Sequence, residues 1–191
     1  MVTRAMKHNS LEWWELPRLL ATSPCKCKYG GMDYQTRPNA VPWPPLLFAG
    51  AAVVALLLHW ASPLHFPPAP LGPILNGLGA LLIGAALAID ALAFLAFRRH
   101  RTTILPHKGA DSLITTGIYG WSRNPIYLGN LLLVTGAGLH FGIWALVIAA
   151  PVALLATWKL AVQREERHLA ARFGEQWQAY RQKTARWFGR T

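Results

Sequence analysis

The sequence predicts an all-α integral membrane protein with about four transmembrane helices, on three observations. Its 191 residues are 53% hydrophobic and only 14% charged, too apolar for an ordinary soluble domain. Three long stretches are nearly free of charge, and the last, Ile126 to Trp158, contains no Asp, Glu, Lys or Arg. Strand signals are poor, because Ala and Leu dominate the apolar runs and glycines stand where helices would need to approach closely.

Residues 1–40 are polar and rich in turn formers, with Pro17, Pro24, Gly30, Gly31 and Pro38, and show neither the early apolar core nor the cleavage pattern of a signal peptide. They read as a disordered extension before a membrane domain of residues 41–191, with Met32 an alternative start. The first span is Leu46 to Ala61, bounded by Pro44-Pro45 and Ser62-Pro63 and flanked by Trp43 and Trp60. The second runs from Ile74 to Phe97, carries one acid, Asp90, and stops at Arg98-Arg99-His100-Arg101. The uncharged run from Ile126 is too long for one crossing and fits a helical hairpin turning at Gly138-Leu139-His140-Phe141-Gly142. Its first arm, Ile126 to Leu139, is about 21 Å as a helix, short for a bilayer unless it tilts, starts earlier or thins the membrane. Gly77, Gly79, Gly84, Gly129, Gly136 and Gly138 read as sites of close helix packing.

The formal charge is +11, from 19 Lys and Arg against 8 Asp and Glu. These charges flank apolar runs, which is the pattern of membrane topology and anionic headgroups and argues against a nucleic-acid partner. Residues 62–73 carry no Lys or Arg, whereas 98–125 and 159–191 are strongly basic, so both termini are expected in the cytoplasm. Cys25 and Cys27 are too close in sequence for an easy disulfide and too few for a zinc site. His59, His65 and His140 are scattered near the opposite boundary, and no metal site is expected. The sequence carries no signal of oligomeric state.

Two polar segments flank the hairpin. In Leu113-Ile114-Thr115-Thr116-Gly117-Ile118-Tyr119-Gly120-Trp121-Ser122-Arg123-Asn124-Pro125-Ile126-Tyr127-Leu128-Gly129, Pro125 suits the first helical turn and puts Asn124 at the cap position. A helix N-terminus with Arg123 beside it can bind a carboxylate, or it can be a capped juxtamembrane turn. After the hairpin, Gln163-Arg164-Glu165-Glu166-Arg167-His168 continues the last apolar helix, Gly174 ends it, and an aromatic-bearing segment through Trp177 and Tyr180 returns towards the membrane surface. Adjacent glutamates on a helix point about 100 degrees apart, so Glu165 and Glu166 serve different partners: one accepts hydrogen bonds from a ribose or amine while the other pairs with a basic residue. The bland alternative is a solvated, salt-bridged helix end.

The segments Leu-Ile-Thr-x-Gly-x-Tyr at Leu113 to Tyr119, Arg-Asn-Pro-x-Tyr-x-Gly at Arg123 to Gly129, and Glu-Glu-x-x-Leu-x-x-x-Phe-Gly-x-x-Trp-x-x-Tyr at Glu165 to Tyr180 resemble the isoprenylcysteine carboxyl methyltransferase and phospholipid methyltransferase families. The resemblance covers about residues 76–188, and the stretch from Arg98 to Pro106, with Thr103, is similar to bacterial members, which implies the bacterial inner membrane as the location. It implies a cytosolic cofactor pocket within residues 102–188 for S-adenosylmethionine. Leu113 and Ile114 would offer backbone contacts, Tyr119 an aromatic contact, Arg123 and Asn124 the Arg-Asn-Pro contact, and Glu165 or Glu166 the acidic one. Asn124 stands where eukaryotic carboxyl methyltransferases have His. Ala161 and Val162 occupy the place of their substrate-binding Arg, for which Arg164 is the substitute candidate.

The implied reaction is S-adenosylmethionine-dependent methyl transfer to a lipophilic or lipid acceptor whose nucleophile is a carboxylate, a thiol or an amine. Such a transfer needs alignment and exclusion of water more than covalent help. An amine or thiol must also lose a proton, for which Glu166, His168 and water are candidates. Asp90, about two turns from the cytosolic end of its helix, is costly against lipid and should face the bundle, either as an interhelical hydrogen-bonding group or at the substrate end of the pocket. The competing readings are a noncatalytic helical membrane protein and a membrane reductase.

Overall fold

A computed structural model describes residues 43–62, 70–100 and 112–189, all within the compact unit Tyr34–Thr191. The expectations for residues 1–40, Met32, Cys25 and Cys27, His65, Thr103 and Pro106 lie outside the described residues. Five helices follow in order: α1 Trp43–Ala61, α2 Leu71–His100, α3 Pro125–Phe141, α4 Trp144–Thr157 and α5 Gln163–Lys183. A 3-10 turn, Gly117–Gly120, precedes α3, and a π-helical turn, Trp158–Val162, joins α4 to α5. There is no strand among the described residues beyond a single bridge at Thr184.

The protein is an all-α integral membrane protein. Three of its helical stretches, Pro44–Ala61, Leu71–Arg99 and the continuous run from Trp144, are long and apolar enough to cross a membrane, and α3 is a shorter apolar helix. The solvent of these helices is legible in their surfaces. On α4 the stripe Leu146, Ala150, Ala153 and Thr157 is buried, while Ile148, Val152 and Leu155 lie exposed on the opposite side. An apolar outer face around a small-residue inner face is what lipid selects. Trp60 is 85% exposed at the end of α1, where an indole suits the interface.

Helix α3 occupies the middle, packed against α2 on one side and α4 on the other, while α1 packs mainly on α4. The α2–α3 contact is built on small residues. Along α2 the buried positions are Gly72, Gly79, Ala86 and Ala93, a seven-residue spacing that keeps one seam facing its neighbour. Gly129 and Gly136 on α3 answer with the same spacing. A Cβ on Gly79 would fall onto the backbone of His140 and Gly136, and one on Gly136 would meet the Gly79 carbonyl at 2.8 Å. Gly77 and Gly84 have open space around them and face away, so only part of the expected glycine set is packed. At this end Asn76 Nδ2 donates to the His140 carbonyl at 2.7 Å, and His140 Nδ1 lies 3.2 Å from the Asn76 carbonyl.

The hairpin turns where the sequence places it, with Gly142 in the left-handed region (φ 72°) capping α3 and Ile143 leading into α4. Helix α3 has 17 residues, longer than the expected arm by Pro125 at its start and by His140-Phe141 at its end. At about 25 Å it still falls short of a full hydrocarbon core. The π-helical turn was not expected. Inserting a residue into a helix turns everything beyond it by about 100 degrees, so this turn sets which face of α5 meets α3.

Candidate functional site

The polar groups gather at one end of the bundle, around the 3-10 turn, the start of α3 and the first half of α5. Asn124 is the cap residue of α3 with Pro125 at the first helical position, but its side chain does not cap the helix. Its Nδ2 donates instead to the carbonyl of Arg186 at 3.1 Å, and its backbone N–H donates to Ser122 Oγ at 3.0 Å. The site therefore includes the segment after α5, which runs beneath the loop before α3. Arg123 N donates to the Ala185 carbonyl at 3.1 Å and Gly189 N to the Trp121 carbonyl at 2.9 Å, while Ser122 Oγ reaches the Arg186 carbonyl at 3.4 Å. Trp121 and Phe188 meet edge to face at 6.0 Å.

This strap depends on a break at Gly174, whose φ of 50° and ψ of −118° interrupt the helical path of α5. Side chains other than glycine rarely adopt that backbone, so the glycine is what permits the turn. Beyond it the helix resumes to Lys183 and buries Trp177 and Tyr180. The Tyr180 hydroxyl donates to the Tyr119 carbonyl at 2.7 Å, tying the returning helix to the 3-10 turn. The expected helix end at Gly174 is thus a sharp kink followed by a second helical piece.

The two glutamates diverge, as the helical geometry requires. Glu166 faces the strap and pairs with two guanidiniums: Arg186 Nε and Nη2 donate to its two oxygens at 2.9 and 2.8 Å, and Arg123 Nη1 lies 3.1 Å from Oε1. Hydrogen bonding to Glu166 holds the Arg186 guanidinium above its usual pKa. Burial lowers that of Arg123, with the Glu166 charge opposing the shift. Glu165 points the other way, and Tyr127 Oη donates to both its oxygens at 2.8 and 3.0 Å.

Around Glu165 lies a second cluster. Tyr119 packs edge-on against Phe97 of α2, with ring centroids 5.7 Å apart. Burial pushes the Tyr119 phenol well above its ordinary value, and the fields of Tyr180, Glu165 and Asp90 act in the same direction. The hydroxyl therefore stays protonated and can donate a hydrogen bond. Asp90 sits on the α2 seam against Gly129 of α3, where a Cβ would collide with its carboxylate. Asp90 Oδ1 is buried and has no hydrogen-bond partner among the described residues. The acid thus faces the bundle, as its cost against lipid demands.

The other expected site residues take these places. Ile114 is buried and Leu113 half-buried in the extended stretch before the 3-10 turn, and Arg164 is half-buried on α5. Sequence reasoning named Arg123, Asn124, Tyr119, Glu165, Glu166 and Asp90, which the fold gathers into two adjoining clusters. It gave no role to Arg186, Tyr127 or Ser122. Tyr127 had a signal, because it stands one turn after Asn124 inside the quoted motif. Arg186 had none, being one of several basic residues near the C-terminus. Among the described residues no group of three or more His, Cys, Asp or Glu could hold a metal ion.

The structure is thus a helical membrane domain whose polar side chains gather at one end of a short hairpin, around two glutamates that face different partners. The sequence model for phospholipid methyltransferases matches residues 75–176, more than half of the chain. The chain belongs to that family, which makes it a methyltransferase acting on lipid-type substrates. No curated protein and no solved structure matches it.

Proposed function

We propose that the protein transfers a methyl group from S-adenosylmethionine to a lipid acceptor at the end of the bundle formed by Tyr119, Arg123, Asn124, Tyr127, Glu165 and Glu166. The observation that supports this most is Arg123, whose side chain is only 8% exposed while its Nε and Nη1 are buried without hydrogen-bond partners. A guanidinium so placed fits a ligand carboxylate, because buried donors left without an acceptor are costly.

When bound, S-adenosylmethionine supplies an electrophilic methyl on a positively charged sulfur. The acceptor lone pair forms the bond to carbon as the carbon–sulfur bond breaks and its electron pair goes to sulfur, leaving a neutral thioether. The chain's task is alignment and exclusion of water. Ile114, Tyr119 and the Phe97 ring form the apolar side, and Glu165, held by Tyr127, is a hydrogen-bond acceptor for a ribose or amine. The lipid reaches the site sideways between helices, at the end of the bundle where Asp90 stands. An amine acceptor loses a proton on methylation, and Asp90 or Glu165 can receive it, whereas a carboxylate needs no base. Arg164, Leu113 and Asn124 belong to the walls of this pocket, Asn124 by fixing the strap.

The pocket opens to the cytosol in this reading, with both termini on that side of a bacterial inner membrane. Reporter fusions at residue 105 and at the C-terminus should both read cytoplasm. Incubation of the purified protein with methyl-labelled S-adenosylmethionine and fractionated lipid extracts should label one lipid class. No label in any lipid fraction, with the protein intact, would overturn the proposal.

A further inference from the structure

Resting on the cofactor reading above, we propose that Arg186, on the C-terminal strap, completes a two-guanidinium cradle with Arg123 for the carboxylate of the cofactor's amino-acid end, and that Glu166 is the counterpart of its ammonium. Arg186 lies beyond the residues 75–176 matched by the family.

The argument begins with charge. Arg123 and Arg186 share one carboxylate, Glu166, whose side chain is 15% exposed, and Arg181 adds a further positive field at Arg123. An indole lies beside each: the Arg123 guanidinium is 5.5 Å from the Trp177 ring and that of Arg186 5.9 Å from the Trp158 ring. Half-buried positive excess walled by indoles is complementary to an anion.

The second observation is an asymmetry. Arg186 grips both oxygens of Glu166 in a fork, whereas Arg123 Nη1 approaches Oε1 at 3.1 Å without satisfying hydrogen-bond geometry, and its Nε is equally unspent. Arg123 thus has two buried donors, Nε and Nη1, whose hydrogen bonding Glu166 does not satisfy. An α-amino acid carries a carboxylate and an ammonium on one carbon. Inserted here, its carboxylate takes the donors of Arg123 and one arm of Arg186, and its ammonium takes the freed Glu166 oxygen.

The third observation fixes the register. The strap's backbone hydrogen-bonds to Trp121, Ser122, Arg123 and Asn124, so Arg186 is positioned by the loop that carries Arg123. The two guanidiniums are set as one frame rather than by chance meeting of two long side chains, which reduces the entropy lost on binding.

The test measures binding of two ligands to the purified full chain: S-adenosylhomocysteine, which has the amino-acid end, and 5′-methylthioadenosine, which lacks it. Arg186→Gln should weaken S-adenosylhomocysteine by about tenfold or more and leave methylthioadenosine unchanged. Arg186→Lys, which keeps the charge without the fork, should fall between. Equal losses for both ligands would show that Arg186 only holds the strap, and no loss for either would remove it from the site; both outcomes overturn the proposal. If the wild type binds methylthioadenosine as tightly as S-adenosylhomocysteine, the cradle is wrong while the adenosyl reading stands. If it binds neither, the cofactor reading falls and takes this inference with it.

Discussion

The α2–α3 seam uses the same small-residue spacing at both ends and does different work at each. At one end Gly79 meets Gly136 and the His140 backbone directly, and Asn76 and His140 close the contact with hydrogen bonds. At the other end Gly129 faces not a backbone but the carboxylate of Asp90, one of whose oxygens has no hydrogen-bond partner among the described residues. The first end is a lock, in which the side chains of Asn76 and His140 each meet a backbone carbonyl of the facing helix. The second holds a group that packing alone does not require, beside Tyr119 and the site. Glycine spacing therefore reports helix proximity, and only the residue opposite the glycine reports purpose.

The lock end should be the less forgiving. Gly79→Val puts carbon where backbone atoms stand, and backbone cannot rotate away, so a loss of about 3 kcal/mol or more is expected. It would be seen as loss of a monodisperse detergent-solubilised protein or as a shift in denaturant midpoint. A mild effect would mean that the crossing is looser than described.

At the site, Glu166→Gln removes the partner of two guanidiniums. Because Arg186 is 30% exposed, solvent screens part of the cost. A stability loss of about 1–3 kcal/mol is expected, together with weaker S-adenosylmethionine binding. Thermal unfolding and calorimetry on the same preparation would check both.

The Gly129 end yields a sharper contrast through a double-mutant cycle. Gly129→Ala should cost about 1 kcal/mol, less than the Gly79 change, since Asp90 is a side chain that can move. Adding Asp90→Ala should recover at least about 0.5 kcal/mol of it, whereas additive losses would show that the two do not touch. Asp90→Asn alone should slow acceptor turnover more than it weakens the cofactor, which a comparison of methyl-transfer rates with binding constants would reveal. The smallest effect is expected at Gly77→Ala and Gly84→Ala, which meet open space. Each should change stability by no more than about 1 kcal/mol, with helix propensity favouring alanine.

These contrasts mark what was legible in the sequence. The spans, the hairpin turn at Gly142 and the cap at Asn124-Pro125 could be read because charge, glycine and proline act locally. The divergence of Glu165 and Glu166 followed from helical geometry alone. Which glutamate faces which partner did not, because it depends on the π-helical turn at Trp158–Val162 and on the kink at Gly174, both outcomes of tertiary packing. Arg186 was invisible for the same reason: only the folded strap distinguishes it from Arg181 and Lys183, whose side chains remain exposed. Tyr127 was in plain view, but a tyrosine at a helix start has many uses until a carboxylate is found opposite it.

The central claim is that the polar end of the bundle is a cofactor site, and direct binding of labelled S-adenosylmethionine to the purified, detergent-solubilised protein tests it most simply. The account predicts saturable binding at one site per chain, displaced by S-adenosylhomocysteine and weakened by Glu166→Gln and Tyr119→Ala while the protein stays folded. Absence of saturable binding to a folded wild-type protein, or binding indifferent to both substitutions, would contradict it.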